Sequence, residues 1–237
     1  MLHGFAGTAR HWDGVVALID RERYSPLALE LGDATPLSLA GAVELVAGAA
    51  DGRFVLCGYS MGGRVALHAA LAMPARISRL VLVSASAGIE RPGERGARLS
   101  ADELLAEEIE RGSIEDFVAR WRNTPLLAED PGWVQEAVAE DTRRLTPQLL
   151  AATLRAYSAG RLEPLWGKLG SLAMPVTMLA GERDARYREL AQRLAGECQR
   201  GSYAIVPAAG HRIALEAPAA VTDAFAGPPA RLAWRPW

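Results

Sequence analysis

The chain has 237 residues, half of them hydrophobic and 23% charged, with a formal net charge of −2 at pH 7, a length and composition that suit one self-folding globular domain and exclude a disordered or collagen-like chain. The mixed signs leave no basic stripe for nucleic acid, and no run of about 18 apolar residues is present for membrane insertion. Only two cysteines, Cys57 and Cys198, occur, too few for a disulfide framework or a metal-ligand cluster, so no metal and no cofactor is expected.

The opening MLHGFAGT has neither a charged leader nor a long apolar run, which reads as an unexported, cytoplasmic protein with reduced thiols. Met1 and Leu2 form the stub of a first strand. Strands follow at 26–29, 54–57 and 80–83, with helices at 39–47 and 62–73. Between about 91 and 169 no β run appears, and helical segments at 101–110, 114–121 and 131–142 read as a cap inserted over the sheet. Strands at 176–180 and 203–206 and helices at 187–198 and 215–225 resume the alternation. From about 227 periodicity is lost and three prolines occur, the pattern of an irregular tail. Short Val- and Leu-rich runs alternating with helices predict one domain spanning 1–237, an α/β fold with a mostly parallel sheet buried on both faces.

The sharpest motif is Gly58-Tyr59-Ser60-Met61-Gly62. It follows the apolar run 54–57 and precedes a helical pattern, the order of strand, tight turn and helix in a nucleophile elbow. Glycines flank the serine because its strained backbone leaves no room for side chains there. A serine hydroxyl needs a histidine to take its proton and an acid to orient that histidine. Of the four histidines, only His211 follows a late strand, in Ala209-Gly210-His211. Gly181-Glu182-Arg183-Asp184 follows the preceding strand and offers two acids. Asp184, deeper in the loop, is preferred, and Glu182 is read as a surface charge. Two backbone N–H groups are needed for an oxyanion hole. Met61 supplies one, and Phe5, in the loop after the first strand, supplies the other.

Taken together, LHGF, GYSMGGR, GERDARY, the segment FVARWRNTPL at 117–126 and AGH with Glu216 and Pro218 beyond it resemble one family of the α/β-hydrolase fold, the menaquinone-pathway 2-succinyl-6-hydroxy-2,4-cyclohexadiene-1-carboxylate synthases (MenH). The likeness runs to about Gly227. It implies a polycarboxylate substrate held by arginines: Arg64 after the elbow, Arg98 opening the cap and Arg143 in a later cap helix, with Arg144 as the alternative register. It also implies that Trp121 and Tyr59 line the pocket. A guanidinium fork holds a carboxylate bidentately and stays charged when desolvated, which agrees with that implication. The chain departs from the family's pattern at 30–36, where an Asp-x-Pro-Gly-His-Gly segment is usual, and at Ala214, where a second histidine is frequent.

The resemblance implies a carbon–oxygen lyase that eliminates pyruvate from 2-succinyl-5-enolpyruvyl-6-hydroxy-3-cyclohexene-1-carboxylate. The same triad could serve a serine hydrolase of an ester or of a carbon–carbon bond in a diketone acid, and the fold alone does not choose. A third reading is a binding protein that has kept the fold without catalysis. The partner expected in each enzymatic reading is a small molecule, anionic in the first; the residues leave the oligomeric state open.

Overall fold

The computed structural model describes residues 1–34 and 37–227, and the backbone of 234–236. Five strands form one sheet in the order β1 (Phe54–Tyr59), β2 (Ile77–Val83), β3 (Val176–Gly181), β4 (Gly201–Val206) and β5 (Trp234–Pro236). The first four pair in parallel and β5 runs antiparallel to β4. This is the expected α/β-hydrolase fold.

Side chains alternate across the sheet, as the two-residue period of a strand demands. Leu56, Leu80, Leu82, Val176, Met178 and Ala180 face one core, shared with α2 (Leu39–Gly48), α3 (Met61–Ala72) and α8 (Ala185–Glu197). Cys57, Val81, Val83 and Leu179 face the other, covered by α1 (Asp13–Leu18) and α10 (Pro218–Ala226). Both faces are therefore apolar, which is why these strands read as continuous hydrophobic runs. Both cysteines are buried free thiols, Cys198 as the residue that follows α8 rather than within it.

Three expectations need correction. No strand forms at 26–29: Leu29 makes a single parallel bridge to Leu2, which bridges Gly58 on its other side. Leu2 N–H donates to the Cys57 carbonyl and Leu29 N–H to the Met1 carbonyl, at 2.9 and 3.0 Å. The helix expected at 215–225 is two pieces, α9 (Ile213–Glu216) and α10, broken at Ala217 (φ −144°, ψ 60°); Pro218 drives its predecessor out of the helical region. Within the stretch read as an irregular tail, 234–236 add the antiparallel edge strand β5, while 228–233 and 237, like Thr35 and Pro36 of the 30–36 loop, lie outside the described residues.

The stretch at 91–169 carries four helices, α4 (Pro92–Arg111), α5 (Ile114–Trp121), α6 (Gly132–Thr142) and α7 (Pro147–Tyr157). The first is twice as long as the motif suggested, and α7 was not foreseen. Three of them, α4, α5 and α7, share a small core of Ala106, Ile109, Phe117, Leu150, Ala151 and Leu154, and into it packs Ala6 with Phe5 against it. Ala6 adopts φ 61°, a strained value for a residue with a Cβ. The loop after Leu2 is thus part of the core of the helical insertion. No helix among the described residues is long and apolar enough to cross a membrane.

At the β1–α3 turn Ser60 has φ 51° and ψ −109°, and the backbones around it approach too closely for side chains. A Cβ on Gly58 would lie 2.4 Å from the Gly62 carbonyl oxygen, and one on Gly62 would lie 2.4 Å from the Leu2 and His3 carbonyl oxygens. Gly62→Ala is therefore expected to cost about 2 kcal/mol or more, lowering Tm by roughly 4–8 °C. Exposed Gly48, at the end of α2 with nothing within 4 Å of its added Cβ, should give the opposite sign on substitution by Ala, a gain of about 0.5–1 kcal/mol. Calorimetric melting of the two variants checks the pair; equal losses would contradict the packing described.

Candidate active site

Ser60, Asp184 and His211 stand just beyond the C-terminal ends of β1, β3 and β4, where open parallel sheets place their sites. The His211 Nδ1 lies 2.7 Å from Asp184 Oδ2, and Nε2 lies 3.2 Å from Ser60 Oγ. A carboxylate only accepts, so Nδ1 carries the proton and Nε2 is left to accept from the serine hydroxyl. Asp184 is itself fixed as the N-cap of α8, its Oδ1 accepting the Tyr187 N–H at 3.1 Å. Burial lowers the pKa of His211 below the ordinary histidine value, and the bond to Asp184 opposes that shift. The resting imidazole is therefore neutral at pH 7. Glu182 is exposed and caps the Ala208 N–H at 2.8 Å instead.

The two loops are braced by residues whose motifs were visible but whose task was not. Arg183 pairs with Glu216, whose other oxygen accepts the Gly210 N–H at 3.0 Å. The same guanidinium donates to the Glu129 carbonyl at 2.5 Å. The acid loop, the histidine loop and the helical insertion thus meet at one arginine.

Met61 is the first residue of α3, so its N–H has no carbonyl partner within the helix. Phe5 is positioned through its neighbour. His3 Nε2 accepts the Leu31 N–H at 3.1 Å, so Nδ1 holds the proton and donates to the Gly4 carbonyl at 2.8 Å. In a trans peptide the carbonyl and N–H point opposite ways, so this bond turns the Phe5 N–H away from His3. Phe5, Ser60 and Met61 line one cleft, a cavity of about 160 Å³. A larger cavity of about 380 Å³ sits at the opposite, N-terminal end of β1, beside Tyr24, Pro26 and Phe54, away from Ser60.

The cleft is rich in guanidinium groups: Arg64, Arg98, Arg186 and Arg212 line it, against one lining carboxylate, Asp102. Arg64 donates to the Tyr157 carbonyl at 3.3 Å, its Nε is buried without a partner, and among the described residues no carboxylate lies within 4.0 Å of it. Burial pulls its pKa below the ordinary arginine value, though an arginine keeps its charge in proteins. Arg98 is paired with Asp102 at 2.8 Å, and Asp102 also accepts the Ser158 hydroxyl at 2.7 Å. Tyr59 and Trp121 both line the cleft. Tyr59 packs on His211, as does Tyr187, at ring-centroid distances of 5.4 and 4.6 Å.

Arg143 is a correction. It caps the exposed C-terminal end of α6, 3.6 Å from Glu136, and does not line the cleft. The inward face of α6 is taken by Val134, Val138, Asp141 and Thr142, which turns Arg143 outward. Its alternative, Arg144, pairs with Glu140 and borders a separate cavity next to Glu30. The cleft arginines missed in the sequence are Arg186, two positions after the acid, and Arg212, the residue after the histidine; adjacency to Asp184 and His211 was the available signal.

The profile of the Alpha/beta hydrolase family matches residues 1–224. The chain belongs to that family. It is 30% identical to the 2-succinyl-6-hydroxy-2,4-cyclohexadiene-1-carboxylate synthase of Citrobacter koseri over 235 residues, covering 95% of this chain and 90% of the relative. Its identity to the synthase of Salmonella agona is also 30%, over 238 residues with the same two coverages. These relatives place this hydrolase-family chain in the MenH group. The structure of MenH from S. aureus superposes with a TM-score of 0.79 at 27% identity, covering 93% of this chain and 88% of that one. A thermophilic esterase from Thermogutta terrifontis shares the fold, with a TM-score of 0.69 at 22% identity over 94% of this chain and 85% of its own.

Titration of the His211 imidazole by nuclear magnetic resonance should give a pKa below 6.5, because burial is the largest influence on it. Asp184→Asn removes the largest interaction that favours the imidazolium, so the pKa of that variant should be lower still. A value above 6.5 in the parent protein, or a rise in the variant, would contradict the environment described.

Proposed function

We propose that this chain is a cytoplasmic lyase of menaquinone biosynthesis that eliminates pyruvate from 2-succinyl-5-enolpyruvyl-6-hydroxy-3-cyclohexene-1-carboxylate, giving 2-succinyl-6-hydroxy-2,4-cyclohexadiene-1-carboxylate. The observation that carries the reading is the pairing of a Ser60–His211–Asp184 relay with a cleft lined by four arginines and a single carboxylate. Two of the four, Arg98 and Arg212, are paired with aspartates, whereas Arg64 is desolvated with no carboxylate beside it among the described residues; a neutral ester gives no reason for that, and a substrate with several carboxylates does. The names of the synthases to which the chain is 30% identical support the same product.

In this reading Ser60 works as a base. His211 Nε2 takes the hydroxyl proton, and the serine oxygen removes a proton from the ring carbon. The electron pair of that C–H bond delocalises into the adjacent carboxyl or carbonyl system, where the N–H groups of Phe5 and Met61 hold the developing charge. The pair then forms the new ring double bond while the C–O bond to the enolpyruvyl group breaks. The departing enolate takes its proton from the His211 imidazolium and becomes pyruvate. Atoms and charge balance without a metal or an organic cofactor. Arg64, one helical turn beyond Ser60, holds one substrate carboxylate; Arg98, Tyr59 and Trp121 complete the pocket, and the helices of 91–169 act as its lid.

Release of pyruvate from the enolpyruvyl intermediate, followed by a coupled lactate dehydrogenase assay, tests the reading directly. Ser60→Ala and His211→Ala should each lose several orders of magnitude in kcat/KM, and Ser60→Ala should do so with little change in Tm. Asp184→Asn should fall steeply while Glu182→Gln stays near the parent value. Arg64→Ala should lose about one to two orders of magnitude, as expected for a charge-assisted hydrogen bond of roughly 1.5–3 kcal/mol. Efficient hydrolysis of a small neutral ester, with no pyruvate from the intermediate, would move the chain to the hydrolase reading.

A further inference from the structure

Arg143 is turned outward, and of the four arginines that line the cleft Arg212 is the most deeply set beside the histidine. Its side chain is only 5% exposed, yet it lines the cleft beside His211. Its Nε donates to Asp130 Oδ2 at 2.6 Å, and Asp130, in the turn between α5 and α6, is equally buried. That bond uses one of five donors. Among the described residues neither Nη group of Arg212 has a hydrogen-bond partner, and neither is a fully sealed polar atom. A desolvated guanidinium with its fork unfilled is costly unless an acceptor arrives. The fork borders the cleft and the narrow void under Trp121, whose indole Nε1 is likewise buried without a partner.

We propose that Arg212 binds a carboxylate of the anionic substrate next to His211, and that Asp130 positions it from the helical insertion. The proposal rests on the polycarboxylate reading above and changes which residues carry it. Asp130 occupies Nε and leaves the two Nη groups parallel and free, the geometry of a bidentate carboxylate contact. Asp130 belongs to the insertion and Arg212 to the histidine loop, so the anion site is built where the insertion meets the sheet's rim. Arg143 has no part in it.

The test compares full-length Arg212→Gln, Arg212→Lys, Asp130→Asn and Arg143→Ala proteins by two measurements: KM for the enolpyruvyl intermediate, and the dissociation constant of citrate followed by the fluorescence of the cleft tryptophan Trp121. Arg212→Gln should raise both constants about tenfold to a hundredfold and change kcat less than about threefold. Arg212→Lys, which keeps the charge without the fork, should raise both several-fold. Asp130→Asn should do likewise, and Arg143→Ala should change neither. A Gln variant that melts like the parent with both constants unchanged overturns the proposal. If that variant does not fold, unchanged constants in Arg212→Lys overturn it equally, and so does a parent protein that binds no citrate at millimolar concentration. A parent protein that binds citrate but releases no pyruvate refutes the lyase reading instead, and the citrate constants of the variants then decide on Arg212 alone.

Discussion

The whole site depends on a close approach of three backbones: the end of β1 at Gly58, the first turn of α3 at Gly62, and the Leu2–His3 segment. Their separations leave no space for a Cβ at either glycine, and Ser60 accepts a strained φ of 51° between them. The strain is sustained by bonds on every side. Ser60 N–H donates to the Val83 carbonyl at 2.9 Å, and its own carbonyl accepts from Gly63 and Arg64. The turn raises the hydroxyl above the strand ends, starts a helix whose first N–H groups are unused, and holds the His-Gly loop against both. The position of the Ser60 hydroxyl and of the N–H groups beside it thus follows from one packing constraint.

The other parts are brought to this point by registers and braces. Parallel pairing of β2 with β3 and of β3 with β4 ends near Val83, Gly181 and Val206, so the loops carrying Asp184 and His211 emerge on the same rim as Ser60. The helical insertion does more than cover the rim. Thr142 donates to the Ala6 carbonyl at 2.7 Å, and Asp141 accepts both the N–H and the hydroxyl of Thr8 at 2.8 and 2.7 Å. Phe5 meets Phe117 and Trp121 edge-on at centroid distances of 6.0 and 5.3 Å. The strained Ala6 and the donor at Phe5 are therefore held from above, by α5 and α6, as well as from below.

Legibility in the sequence followed the range of the interactions. The elbow could be read because its glycines, serine and flanking apolar runs are local, and the order of the later strands singled out His211. The choice of Asp184 over Glu182 was also local, since an N-cap and an exposed acid two residues apart differ in depth. Arg143 could not be placed, because the face that α6 turns inward is set by Asp141 reaching Thr8, a contact spanning 133 residues. Arg212 and Asp130 are 82 residues apart, and nothing in either neighbourhood announces the pair. The edge strand at 234–236 was hidden by the prolines around it, which suit an edge where one row of N–H groups needs no partner.

Electrostatics joins the base to its pocket. Burial lowers the His211 pKa most, the charge of Arg212 lowers it further, and the Asp130 carboxylate paired with Arg212 acts against that second effect. Asp184 also raises the pKa of the same ring. The resting site therefore combines a neutral imidazole with one guanidinium, Arg64, that has no carboxylate beside it among the described residues, and with a second, Arg212, whose Nε is held by Asp130. An anionic ligand would then stabilise the imidazolium formed when Ser60 gives up its proton, so binding and proton transfer favour each other through the same arginines. A neutral ester brings no such charge, and the imidazolium would then form with only Asp184 and Asp130 in its favour.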